Sequence, residues 1–179
     1  HGSVCEDYSK IESAVLAIGG WHDGYRNTVS KLLSNLSSPV KGIIGPWNHR
    51  YPHLAEPEPK IGFLQEALYW WNRWLLDEPN GVEEQADLKV FLMDSVCPKR
   101  HFESRPGRWI VDKKNSFENK SLLTFKLGDH TLGLSEEMSQ TKVICSKMDC
   151  GMQAGEFFPY NFGPEMPADQ NADDNRSLY

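Results

Sequence analysis

The sequence predicts an α/β fold: a parallel β-α-β unit, followed by a segment of short β-strands. Three observations carry this. Ala14-Val15-Leu16-Ala17-Ile18 is an uninterrupted apolar run, the pattern of a strand buried on both faces of a parallel sheet. A second run, Val40 to Ile44, follows after one helical segment. From Leu88 onward the pattern changes to short runs punctuated by Gly, Pro, Asn and Asp, which marks antiparallel strands.

Taken in order, His1 to Ser13 reads as a loop, with Cys5-Glu6-Asp7-Tyr8 a solvated acidic stretch. The strand Ala14–Ile18 runs into the glycine-rich turn Gly19-Gly20-Trp21-His22-Asp23-Gly24. A helix follows with Val29, Leu32, Leu33 and Leu36 on one face, and Ser37-Ser38-Pro39 stops it. The strand Val40–Ile44, broken by Lys41 and Gly42, then meets Gly45-Pro46-Trp47-Asn48-His49. A right-handed crossover puts both polar turns at the C-terminal edge of the sheet, where open α/β sheets place their sites.

An Asp after one strand and a His after the next can meet at that edge. A carboxylate on one imidazole nitrogen fixes the tautomer, and the other nitrogen is then able to take a proton from a hydroxyl nucleophile. Asp23 before His49 fits the last two members of the order Ser, Asp or Glu, His found in α/β-hydrolases. Spacing alone does not separate this from a plainer reading, in which Asp23 is a turn residue and His49 a loop histidine. His53 is the rival base, four residues further along a stretch that prolines keep extended, and reads as structural or surface.

Ile61 to Asp77 is the clearest helix, with Ile61, Leu64, Ala67, Leu68, Trp71, Trp74 and Leu75 forming an expected buried stripe. Trp70, Trp71 and Trp74 at this spacing read as core rather than as an aromatic binding box. Asp77-Glu78-Pro79-Asn80-Gly81 ends it, so the expected domains are 1–78 and 79–179, with the linker at Glu78 to Gln85. Beyond it, Leu88–Met93, Trp109–Val111 and Leu122–Leu127 are the expected strands. Met138 to Met152 has little periodicity, Gly155 to Tyr179 is loop-like, and His101 and His130 read as surface residues.

Composition narrows the partners. A net charge of −6 over 179 residues argues against a nucleic-acid surface, and no apolar run approaches a membrane span of about 20 residues. Cys5, Cys97, Cys145 and Cys150 lack C-x-x-C spacing, so zinc is not expected and the thiols are expected to stay reduced. No phosphate loop, EF-hand, zincin helix or dinucleotide fingerprint is present, so neither cofactor nor metal is expected. The cytoplasm is the favoured compartment, and the sequence leaves export and oligomeric state open.

The wording of the two turns goes further. Gly20-Trp21-His22-Asp23-Gly24-Tyr25 and Gly45-Pro46-Trp47-Asn48-His49 resemble the G-W-x-D-G and G-P-W-x-H turns of the CocE/NonD hydrolases, which include X-Pro dipeptidyl-peptidases of the S15 type and ester hydrolases. The likeness continues through Lys60-Ile61-Gly62, the tryptophan-rich helix and Arg105-Pro106-Gly107-Arg108-Trp109. It extends to Pro167-Ala168-Asp169-Gln170 and Asp173-Asp174-Asn175-Arg176-Ser177-Leu178. It implies Asp23 as triad acid and His49 as general base of a serine hydrolase, acting on a small ester or amide or a short peptide through an acyl-enzyme. It also implies that the chain is the end of an α/β-hydrolase domain followed by the opening strands of a jelly-roll. Glu6 or Asp7 would then lie near the cap over the site.

One departure is large. The nucleophile elbow Gly-x-Ser-x-Gly should stand well upstream of Asp23, and 22 residues precede it. Gly2-Ser3 and Gly133-Leu134-Ser135 lack the second glycine. The expectation is an internal fragment that supplies Asp and His but not Ser, has the missing N-terminal half as its partner, and is inactive alone. The competing expectation is a non-catalytic β-domain module for binding or assembly, with an exposed tryptophan helix.

Overall fold

The computed structural model describes residues 4–97, 101–113, 123–127, 131–134, 143 and 145. Residues 1–119 form one compact unit and 120–179 a second. The first holds a four-stranded sheet in the order β1 (Val15–Gly20), β2 (Val40–Gly45), β3 (Leu88–Met93), β4 (Gly107–Asp112). Its helices are α1 (Asn27–Asn35) and α2 (Phe63–Leu76).

β1 and β2 pair in parallel from Val15↔Val40 to Gly20↔Gly45, with α1 as the crossover. This is the β-α-β unit expected from the two apolar runs. Alternation along the strands gives the sheet two apolar faces. On one, Val29, Leu33 and Leu36 of the α1 segment pack on Ala17, Val40, Ile44 and Leu88. Gly42 lets the helix approach: a Cβ there would stand 2.7 Å from Leu33 Cδ1 and 2.8 Å from Val29 Cγ1. On the other face Ile43, Trp47 and Ala55 form a second core, with Leu16, Ile18, Ile61 and Trp109 packed against it.

Lys41 interrupts β2 on this second face yet is buried, and its ammonium donates to Gln85 Oε1. Loss of hydration holds that ammonium below the usual lysine range, with Glu66 partly opposing the shift.

Two expectations need correction. Leu88–Met93 does not open a separate β-domain. It pairs in parallel with β2 from Gly42↔Leu88 to Ile44↔Val90, and β4 then runs antiparallel to it from Leu88↔Asp112 to Met93↔Gly107. The boundary at 78/79 therefore falls inside the sheet. The run alternates only loosely, and pairing between strands far apart in sequence leaves no local mark. The stripe expected on α2 holds at Ile61 and Ala67 but needs correction at four of its seven positions. Ala67 and Trp70 are buried, while Leu64, Leu68, Trp71 and Leu75 are exposed at 61%, 57%, 54% and 74%. Apolar residues surround this helix, so periodicity could not choose the face. Polar ties flank the buried side: Glu66 pairs with Lys89 at 3.1 Å and Asn80 Nδ2 donates to Tyr69 O at 2.7 Å, while Arg73 pairs with Glu83 and Asp77 at the surface.

In the second unit, Lys126–Leu127 (β5) and Leu132–Gly133 (β6) pair antiparallel. Residues 123–125 of the expected strand are not in a strand. Leu122, His130, Ser135, Cys150, Gly2-Ser3 and the segments at 167–170 and 173–178 lie outside the described residues, as does most of the expected jelly-roll.

Candidate active site

Because Gly20 pairs with Gly45, β1 and β2 run out at the same level, and their following turns begin side by side. Three hydrogen bonds lock them together. Trp21 N–H donates to Gly45 O at 2.9 Å, His22 N–H to Trp47 O at 3.0 Å, and His22 Nδ1 meets Pro46 O at 2.7 Å. Two glycines permit this closeness. A Cβ on Gly20 would lie 2.0 Å from the Trp47 carbonyl oxygen, and one on Gly45 would lie 2.3 Å from the Trp47 ring.

Each turn is also tied to its own surroundings. Asp23 N–H closes the acid turn onto Gly20 O at 3.1 Å, and Asp23 O accepts from Arg26 N–H at 3.2 Å, leading into α1. In the second turn Trp47 is 1% exposed and donates its indole N–H to Pro59 O at 2.9 Å. Asn48 is buried, and its N–H donates to Glu56 O at 2.7 Å.

The outcome is a carboxylate against an imidazole. Asp23 Oδ2 lies 2.9 Å from His49 Nδ1, and Asp23 Oδ1 accepts the Tyr25 N–H at 2.7 Å. The Asp23 side chain is 11% exposed and the His49 side chain 43%, so the acid is sheltered while the imidazole reaches solvent. The Tyr25 ring lies 5.6 Å from the His49 ring. An ionised carboxylate accepts only, so Nδ1 donates to it and Nε2 is the basic nitrogen of that tautomer. Such a pair can hold an imidazole in one orientation and accept a proton at Nε2.

His53 sits elsewhere. Its ring stacks on Phe63 at 5.7 Å and 4°, next to Tyr51 at 6.1 Å, and its buried Nδ1 has no hydrogen-bond partner. It is a packing residue. Asp7 caps a single helical turn through Ser9, whose hydrogen bonds lower its pKa, and pairs with Lys10 at 3.6 Å. His101 pairs at the surface with Glu56 at 3.7 Å. Among the described residues no group of His, Cys, Asp or Glu could hold a metal ion, and no helix is long and apolar enough to cross a membrane. Trp21 escaped the sequence reading. Its indole N–H donates to Phe91 O at 2.7 Å, a link across 70 residues that no local pattern announces.

Residues 1–51 match the family model of the X-Pro dipeptidyl-peptidases, the S15 family. The S15 match spans both turns and hence the whole Asp23–His49 pair, and it supports the CocE/NonD-like resemblance of their wording. It points to hydrolase and peptidase chemistry. The parallel strands and their crossover helix are compatible with the α/β fold of such an enzyme. No curated protein and no solved structure matches the chain.

Proposed function

We propose that this chain carries the acid and the base of a serine hydrolase that cleaves ester or amide bonds through an acyl-enzyme. The observation that carries the reading is the 2.9 Å contact between Asp23 Oδ2 and His49 Nδ1, at the shared edge of two parallel strands and inside the S15-matched stretch. His49 Nε2 takes the proton of a serine hydroxyl as that oxygen attacks the substrate carbonyl, then returns it to the leaving group. Asp23 fixes the tautomer and stabilises the imidazolium. The serine and the oxyanion donors come from a Gly-x-Ser-x-Gly elbow and an earlier loop that this sequence does not contain, so the chain works together with an N-terminal half. The substrate is a small ester or amide or a short peptide.

The test has two arms. The chain alone should neither hydrolyse p-nitrophenyl esters nor take a fluorophosphonate label. With the nucleophile half present, it should release a burst of p-nitrophenol stoichiometric with enzyme. Labelling of a serine of this chain, abolished by His49→Ala, would overturn the division of the triad. A second reading, an interaction module, is favoured by one observation, the exposed apolar row Leu64, Leu68, Trp71 and Leu75 on α2.

A further inference from the structure

The backbone ties of the two turns, with the Trp47 indole, join them to the ends of β1 and β2, to the start of α1 and to the loop around Glu56 and Pro59. Trp21 reaches further. Its indole N–H passes beyond β2 to Phe91 O on β3, 2.7 Å away. Phe91 is the residue just after Val90, where the β2–β3 ladder ends, so the indole takes a carbonyl one step past the last β2 partner. Phe91 is 3% exposed, and its ring packs edge-on against Trp109, its direct partner on β4, at 5.3 Å and 65°. Trp109 packs in turn on Trp47 at 5.9 Å. Trp47 stands two residues before His49, and Trp21 two residues before Asp23.

These four contacts, joined by the two-residue backbone steps Trp21 to Asp23 and Trp47 to His49, close a ring: Asp23, Trp21, Phe91, Trp109, Trp47, His49, and back to Asp23. The ring grips both faces of the sheet, since Trp21 packs with the α1-side core and Trp47 belongs to the opposite one. Gly107 opens β4 at φ 157°, and a Cβ there would lie 2.3 Å from Leu92 O and 2.8 Å from the Phe91 ring, so glycine gives that ring its place. We propose that the β3–β4 hairpin is a positioning element for the Asp23–His49 pair, with Trp21 as the positioning residue that couples it to the acid turn. The inference rests on the reading of that pair as catalytic acid and base.

A hydrogen bond between two segments 70 residues apart is directional, so it adds to the turn-to-turn bonds a second anchor for the acid turn, on β3. Trp21→Phe keeps the ring and removes the donor. The readout is solvent exchange of the His49 Nδ1 proton in the 15N-labelled chain, which reports the Asp23 contact and not overall packing. Trp21→Phe should speed this exchange about five- to tenfold, the effect of one hydrogen bond. Trp109→Phe, which keeps an aromatic contact on Phe91, should stay near wild type. Leu33→Ala, a core cavity on the α1 side, should lower stability without speeding it. Exchange in Trp21→Phe equal to wild type, with Asp23→Asn markedly faster, would overturn the coupling while leaving the pair intact. An unchanged rate in Asp23→Asn would instead remove the pair itself. Should Trp21→Phe not fold, deuterium exchange of the Trp21 indole N–H in the wild-type chain decides: slow exchange supports the link to Phe91, and exchange at the rate of free indole overturns it.

Discussion

Gly20→Ala puts a methyl group where the two turns touch. The new Cβ would stand 2.0 Å from the Trp47 carbonyl oxygen, 2.6 Å from its carbon and 3.1 Å from Trp47 Cα. All three are backbone atoms, so no rotamer relieves the clash, and the carbonyl must retreat by about 1.4 Å to restore ordinary contact. That retreat breaks the 3.0 Å bond from His22 N–H to Trp47 O. Overpacking costs about 1–3 kcal/mol and the lost hydrogen bond about 1 kcal/mol, so the variant should be destabilised by about 2–4 kcal/mol. His49 follows Trp47 by two residues, and in a protein that joins this chain to its proposed nucleophile a misplacement of about 1 Å is enough to cost about 10²-fold in turnover. Gly19→Ala is the control. Its Cβ would meet only the Val29 Cγ2 methyl, at 3.1 Å, and side chains yield more easily than backbone. Its cost should stay below about 1 kcal/mol, partly offset by the stiffer unfolded chain. Urea unfolding followed by tryptophan fluorescence measures both. Gly20→Ala within about 0.5 kcal/mol of wild type, or Gly19→Ala the worse of the two, would refute the argument from turn-to-turn contact.

Three further outcomes are expected. Lys41→Met should be neutral or stabilising by about 1–2 kcal/mol at pH 7, because it replaces a buried ammonium among Gln85, Glu66, Asp87, Lys89 and Lys113. The folded chain releases the Lys41 proton more readily than the unfolded chain does. Wild-type stability should therefore rise with pH from the depressed folded value up to the ordinary 10.5, and urea midpoints across that window should show the rise lost in Lys41→Met. Leu33→Ala, at a side chain 2% exposed between α1 and the sheet, should cost about 2–5 kcal/mol in the same assay. The row Leu64, Leu68, Trp71 and Leu75 should make the chain self-associate. Leu68→Glu should shift sedimentation toward monomer, and iodide should quench Trp71 while leaving Trp70 protected.

How much was legible follows from what is local. β1, α1 and β2 were readable because apolar runs and a 3.6-residue period are written into consecutive residues, and a crossover between parallel strands then fixes where Asp23 and His49 go. The motif wording added the role proposed for each turn. The place of Leu88–Met93 was hidden because a strand's partner is chosen by the assembled sheet, not by its own residues. The buried face of α2 was hidden because Leu64, Trp70, Trp71 and Leu75 offer apolar surface in several directions, and only Ala67 and Trp70 are buried in the assembled fold. The reach of Trp21 to Phe91 was hidden for the same reason. A tryptophan in a turn reads as bulk until its partner is in place.

The central claim, that His49 is the base and Asp23 its orienting acid, meets its most direct test in a comparison of the two histidines. In the protein that joins this chain to its nucleophile, turnover of His49→Ala and His53→Ala should be measured side by side, with circular dichroism confirming that both fold. His49→Ala should lose activity by about 10⁴-fold or more, and His53→Ala, which removes a ring stacked on Phe63, should lose stability while keeping turnover at low temperature. Near-normal turnover in His49→Ala, with the large loss falling on His53→Ala, would contradict the account.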